Sequence, residues 1–141
     1  MIDIEYAKKM LEGNTVCLVK EDSLFLSKKR GITPLLEFIE SGFNFKGYSA
    51  ADKIVGKAAA FLYACLDVKE VYAEVLSKEA ISVFEQYNIL FEYSILTDYI
   101  INRKGTGLCP MEEVLLNCSS KENAIFAIKN RFNTLYDSSD L

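Results

Sequence analysis

The residues in this sequence best suited to chemistry are Asp52, Lys53, Lys57, Arg103, Cys109 and Glu112. A carboxylate such as Asp52, within hydrogen-bond reach of a substrate, can act as general base. Cys109 stands immediately before Pro110, and proline suits the first helical position, so Cys109 is expected at a helix N-cap. There the positive end of the helix dipole favours the thiolate, the nucleophilic form. Glu112 and Glu113 place negative charge in the same turn and oppose that effect. Lys53 and Lys57 are four apart, where like charges on one helix face repel mildly, a hint of an anion or acidic side chain nearby. Together with Arg103 they could meet a phosphate, cradled by the freed backbone amides of Gly105, Thr106 and Gly107. The run KGTG lacks the spacing of a Walker loop.

Each of these groups has a plainer reading that stays open. Asp52 could complete a capping box with Ser49, the two lysines could be a solvated face, KGTG an ordinary turn, and Cys109 a buried cap. Gly56 costs a helix about 1 kcal/mol relative to alanine, so its presence points to close approach of a strand, a loop or a ligand. Tyr48, just before the segment that holds Asp52, could stack on a base.

The chain has 141 residues, half of them apolar and 26% charged, as in a folded globular domain. It has no histidine, which excludes His-dependent triads, Cys–His dyads and HExxH zinc sites. Sixteen Lys and Arg against 20 Asp and Glu give a net charge of −4, the wrong sign for a dedicated nucleic-acid binder. The start, MIDIEYAKKM, is charged and amphipathic, unlike a signal peptide. The longest uncharged run, Ala58 to Leu66, falls far short of the roughly 20 residues that cross a bilayer. A cytoplasmic protein is expected, with no membrane or nucleic-acid partner. Its cysteines, Cys17, Cys65, Cys109 and Cys118, are expected reduced and form no CxxC pair.

The elements that must position these residues read as one domain over 1–141, without linker or repeat. Residues 1–13 hold an N-terminal helix ending at Gly13. TVCLVK (15–20) and SLFLSK (23–28) flank Glu21 and Asp22 as a β-hairpin, whose exposed edge is where apolar surface for a homo-oligomer would be sought. A helix starts at Thr33–Pro34 and stops near Gly42. The segment SAADKIVGKAAAFLYACL (49–66) reads as the strongest helix, with Ser49 and Asp52 as its capping box and an apolar face at Ala51, Ile54, Val55, Ala58, Leu62 and Cys65. A strand over 69–76, a helix from Ser77 to about Tyr87 and a strand over 88–94 follow. Residues 95–103 are open to a further strand or a short helix. Pro110 opens a short helix, Ser119 with Glu122 caps a last one, and the polar tail 136–141 is expected to fray. A hairpin followed by strand–helix–strand alternation gives an α/β fold, a three-layer α/β/α sandwich with a mixed sheet.

The stretches SAADKIVGKAAAFLYACLDVKEVYAEVLS and YIINRKGTGLCPMEEVLL resemble a prokaryotic domain-of-unknown-function family whose members are similar in fold to cytidine deaminases. The likeness spans roughly residues 15–130, and its motifs are ADKxxGKAAA and TGLCPME. Zinc deaminases carry [HC]-A-E at the start of one helix and P-C-x-x-C at the start of the next conserved one. Laid on that pattern, Ala50 takes the first ligand position, Asp52 the proton-shuttle position, and Cys109 and Glu112 the second motif's ligand positions. One ligand is then missing and one is a carboxylate, whereas a catalytic zinc needs three protein ligands and an open position. The resemblance therefore implies a deaminase fold without its zinc site, with no cofactor.

The leading expectation is a domain that binds a nucleoside or nucleotide-like ligand, with Asp52 and Cys109 at the old reaction centre. Lys53, Lys57, Arg103, Gly105, Thr106, Gly107 and Glu112 would line its ligand site. The alternatives are a metal-free transferase or hydrolase with Asp52 as base and Cys109 as nucleophile, and a structural oligomerisation module.

Overall fold

The structure is a computed structural model that describes residues 2–102 and 104–137. Its elements run α1 (Asp3–Met10), β1 (Val16–Lys20), β2 (Ser23–Ser27), α2 (Thr33–Glu40), β3 (Ser49–Val55), α3 (Lys57–Leu66), β4 (Glu70–Ser77), α4 (Lys78–Gln86), β5 (Leu90–Thr97), α5 (Pro110–Glu113) and α6 (Lys121–Asp137). The strands form one mixed sheet in the order β2-β1-β3-β4-β5. β1 pairs antiparallel with β2 and with β3, while β3, β4 and β5 are parallel, an arrangement that requires crossover connections, here α3 and α4.

The β-branched and apolar run of β1 and the mixed run of β2 meet through Glu21, which takes a positive φ of 55° at the turn. α2 begins with Pro34 in its first turn, where no amide hydrogen is needed. On one face of the sheet Leu18, Ala50, Val71 and Ala73 pack with Leu35, Phe61, Leu62, Phe84 and Ile128 from α2, α3, α4 and α6. On the other, α1 alone lays Ala7 and Leu11 over Cys17, Val19 and Ala51. The architecture is thus the α/β sandwich read from the sequence, with its second helical layer reduced to one short helix. Phe25, Phe38, Phe43, Phe45 and Tyr48 form an aromatic cluster between β2, α2 and the loop that follows α2. Tyr48 is buried there with its hydroxyl donating to Ser23 Oγ at 2.7 Å, so it cannot stack on a base. Among the described residues no helix is long and apolar enough to cross a membrane.

The segment read as the strongest helix divides. Residues 49–55 are the central strand of the sheet, paired from Val19↔Ser49 to Val16↔Asp52 on one side and from Ser49↔Glu70 to Val55↔Leu76 on the other. Only residues 57–66 are helical. There is consequently no Ser49–Asp52 capping box, and Lys53 and Lys57 share no helix face. A short, doubly buried strand reads as a continuous apolar run that periodicity cannot separate from a buried helix, and alanine's helix propensity is a weak prior that tertiary pairing overrides. The signals for a break were Ile54 and Val55, β-branched and adjacent, followed by Gly56. α3 itself is buried on nearly every side, with Ala58, Ala59 and Ala60 allowing close packing.

The remaining elements lie near their expected positions. β5 extends to Thr97, so the start of the 95–103 segment is strand and not a separate element. Beyond it, Ile101 and Leu108 form an isolated bridge. α6 is capped by Ser120, whose Oγ accepts from the Asn123 N–H, one residue later than expected. Of the tail, 138–141 lie outside the described residues.

Candidate functional site

Asp52 sits mid-strand in β3, buried, facing α3. Its Oδ2 accepts the Tyr63 hydroxyl at 2.7 Å and its Oδ1 the Ile54 N–H at 3.2 Å. Burial pushes its pKa up to about 7, against the opposing pull of those two hydrogen bonds. Tyr63 is pushed well above the ordinary phenol value, first by its own burial and then by the Asp52 charge. Tyr63 is the partner that sequence reasoning missed. A helix over 49–66 puts Asp52 and Tyr63 on one continuous element, where they cannot pack across from each other; the strand–helix break at Gly56 is what brings them together.

The second cluster lies where β3 hands over to α3. Gly56 is the α3 N-cap residue, with extended φ −105° and ψ −168°. The Glu112 carboxylate, carried by α5, is buried against it: Oε1 accepts the Lys57 N–H at 2.7 Å and Oε2 the Ala58 N–H at 2.9 Å. One side chain therefore satisfies two of the amides that a helix start leaves without an intrahelical partner. Lys57 turns its Nζ to the Leu115 carbonyl at 2.6 Å, a second tie between α3 and the chain after α5. Burial raises the Glu112 pKa; the two amides oppose the rise, Glu79 adds to it, and Lys57 opposes it. A Cβ at Gly56 would lie 2.1 Å from Glu112 Oε1 and 2.6 Å from Ile100 Cγ1. The close approach inferred at Gly56 is thus that of a neighbouring carboxylate and Ile100.

The other candidates are dispersed. Lys53 points to the exposed α1 side of the sheet and pairs with Glu74 at 3.1 Å. The KGTG run is an exposed turn organised by Asn102, whose side chain brackets Thr106 through its N–H at 3.1 Å and its Oγ1 at 3.2 Å. The Asn102 carbonyl takes the Gly105 N–H, and the Gly107 carbonyl takes the Asn102 N–H. The Gly105 and Thr106 amides thus serve the turn and are not turned out as a phosphate cradle. Arg103 lies outside the described residues.

Cys109 is the N-cap residue of α5, as expected, and is half-buried against the main core. Its carbonyl takes the Glu112 and Glu113 N–H groups. Among the described residues no cation is hydrogen-bonded to its sulfur. Native Cys109 is therefore expected to react with a maleimide no faster than the same cysteine in the urea-unfolded chain. Peptide mapping of a labelling time course checks this, and a tenfold faster native rate would restore an activated thiol.

The residues laid on the zinc motifs do not fit a catalytic zinc. Ala50 and Asp52 belong to the middle of a strand and not to a helix start. Both Glu112 oxygens are taken by backbone amides. No group of three or more Cys, Asp or Glu that could hold a metal ion occurs among the described residues. Nor does any hydrogen bond join Asp52 to the Cys109–Glu112 turn. Two open clefts lie elsewhere, one lined by Ile4, Glu70, Leu90 and Phe91 and the other by Asp3, Tyr6, Glu21, Asp22 and Leu24.

A family profile described as a domain of unknown function, DUF1893, matches residues 6–132. The chain belongs to the DUF1893 family. The crystal structure of a DUF1893 family protein from Thermotoga maritima superposes with a TM-score of 0.85 at 27% identity, over 92% of this chain and 90% of that one. The two chains thus share their fold over about nine-tenths of each. A dCMP deaminase from the cyanophage S-TIM5, in its apo form, is similar at a TM-score of 0.45 and 15% identity, over 64% of this chain and 93% of that one. That degree of likeness carries nothing about activity.

Proposed function

We propose that this DUF1893 chain is a binding domain and not an enzyme, and that its ligand is a small phosphate-bearing anion of nucleotide type. The ligand would dock on the α3 N-terminus in place of the Glu112 carboxylate. The observation that carries this reading is the pair of convergent amides, Lys57 N–H and Ala58 N–H, already holding a buried anion. Amides at a helix start, aided by the helix dipole, bind phosphate and carboxylate alike. Gly56 supports it as well, because its missing side chain is what lets an anion come this close. The reading moves the ligand site away from Lys53 and the 105–107 turn, whose polar groups are engaged elsewhere, and keeps Lys57 and Glu112 within it. The Asp52 carboxylate is engaged by Tyr63 and the Ile54 N–H, and by no hydrogen bond to the Cys109 turn, which weighs against the transferase or hydrolase alternative.

The test compares the wild type with Glu112→Gln, which keeps the side chain's shape but removes the resident charge. With 10 mM inorganic phosphate, and separately with a nucleoside monophosphate, the expected result is a rise in melting temperature that is larger in Glu112→Gln. Phosphate-dependent amide NMR shifts at Lys57 and Ala58 in the wild type provide a readout should the variant fold poorly. No shift at those amides, and no stabilisation of either protein, would overturn the reading.

A further inference from the structure

Residues 109–118, which contain α5, form a unit closed by its own backbone. The Glu112 and Glu113 amides donate to the Cys109 carbonyl, Val114 to Pro110, Leu115 to Glu112, Leu116 to Glu113 and Cys118 to Leu115. Both ends are anchored. The Cys109 N–H donates to the Ile100 carbonyl at 2.9 Å. Just past Cys118, the Ser119 carbonyl accepts from Gln86 Nε2 at 2.8 Å and the Lys121 N–H donates to the Tyr87 hydroxyl at 2.7 Å. Between those anchors, among the described residues, every hydrogen bond from the unit to the rest of the chain runs to the first turn of α3. Glu112 accepts the Lys57 and Ala58 amides, and the Leu115 carbonyl accepts from Lys57 Nζ.

We propose that this unit is a strap, closed over the anion seat at the start of α3 and released when a ligand anion takes that seat. Such control rests on the seat being the ligand site proposed above, and sets how that site is reached. The groups that tie the strap down are the groups that would hold the ligand: two amides and one ammonium. An amide has one hydrogen to give, so each serves Glu112 or the ligand. The seat has no room for both, since even a Cβ added at Gly56 would run into Glu112 Oε1 and Ile100 Cγ1.

Once unseated, the carboxylate has no place inside. A buried charge without partners is costly, and the nearby Glu79 charge opposes that of Glu112. Its way to water is to take α5 with it, because the turn moves as one piece. Lys57 Nζ, freed from Leu115, is then available to the ligand. No named strand lies within 109–118, and α5 packs against α3 and α6, so the strap can lift with the sheet intact. Met111 and Leu115, buried in the main core, hold it shut in the absence of ligand. The open form is then the minor one, and ligand affinity is lowered by its fraction.

The experiment places a thiol under the middle of the strap with Met111→Cys. Native Cys17, fully buried beneath α1, reports unfolding of the whole domain. Labelling of a transiently opened site follows the population of the open form. Exchanging chloride for inorganic phosphate at equal ionic strength is expected to speed maleimide labelling of Met111→Cys at least fivefold, with Cys17 unchanged. In the wild type, native Cys118, half-buried at the far end of the strap, should follow the same course and serves if Met111→Cys folds poorly. Adding Glu112→Gln, which sets an NH2 group against one of the two amides, is expected to speed the reporter at least tenfold without phosphate. Phosphate that shifts the Lys57 and Ala58 amide resonances but leaves the reporter rates alone would overturn the strap and leave the seat standing. Phosphate that shifts neither overturns the seat, and the strap with it. A Glu112→Gln chain in which Cys17 speeds up as much as the reporter would mean that the segment lifts when the whole domain unfolds and not before, which also overturns the strap.

Discussion

Gly56→Ala is expected to lower the unfolding free energy by about 3 kcal/mol, read as a lower urea midpoint at unchanged slope. The backbone at Gly56 is ordinary extended chain that any residue adopts, so the requirement is for space and not for conformational freedom. The new methyl would sit on Glu112 Oε1 and against Ile100 Cγ1, at 2.1 and 2.6 Å. Either β3 and α3 shift against the α5 segment, or the carboxylate leaves and the Lys57 and Ala58 amides lose their acceptor. A buried donor left unsatisfied costs about 1–3 kcal/mol. The stiffening of the unfolded chain by alanine returns less than 1 kcal/mol, roughly. A double-mutant cycle with Glu112→Ala should show coupling above about 1 kcal/mol, since much of the clash is removed once Glu112 is shortened. Additive losses would mean that the carboxylate is not what fills the space over Gly56.

Asp52→Asn is expected to flatten a fall in stability with rising pH. The folded-state pKa of Asp52 is raised from the ordinary 3.8 to about 7. Between those values the native state holds a proton that the unfolded state has released, so stability drops by about 1.4 kcal/mol per pH unit as pH rises. Below about 4 both states are protonated and the contribution is fully present; above about 7 both are ionised and it is gone. Asparagine has no such charge to release, while its amide can still serve the Ile54 N–H and the Tyr63 hydroxyl. Measured by urea unfolding at pH 4.5 and 7.5, the difference between variant and wild type should move in the variant's favour by a few kcal/mol across that interval. A difference independent of pH would mean that Asp52 is already ionised at pH 4.5 and stabilised as a carboxylate by its partners. Glu112, raised in the same direction, contributes a slope of the same sign in both proteins and cancels in the comparison.

Much of the architecture was legible because it rests on local signals. The hairpin turn at Glu21–Asp22, the proline at the start of α2, the Ser77 cap of α4 and the Cys109–Pro110 start of α5 are each written in two or three adjacent residues. The centre of the sheet was not. β3 is held by β1 and β4, and its residues Ala50, Ala51 and Asp52 carry no strand signal of their own; the pairing supplies it. That one reversal accounts for most of the errors at the candidate site. It moved Asp52 from a helix cap to a buried strand position, separated Lys53 from Lys57, and turned Gly56 from a defect inside a helix into the junction between two elements. Glu112 was named from its place in a motif, but its seat on the α3 amides joins residues 55 positions apart, and no spacing rule reaches that far.

The position of β3 also bears on how the chain acquires its shape as it is made. β3 joins an antiparallel half, whose strands meet within a few tens of residues, to a parallel half that requires β4, offset by 21 positions in the pairing register. At about 5–20 residues per second, the ribosome takes roughly 1–4 s to deliver that many residues. For that interval the growing sheet carries a temporary border of small and β-branched residues, Ala50, Ala51, Ile54 and Val55, with the helix meant to cover it still under synthesis. The nascent chain is therefore open to capture by other strands at its middle before it is open at β5, and the first of these openings is closed by the chain's own β4, which ends at Ser77.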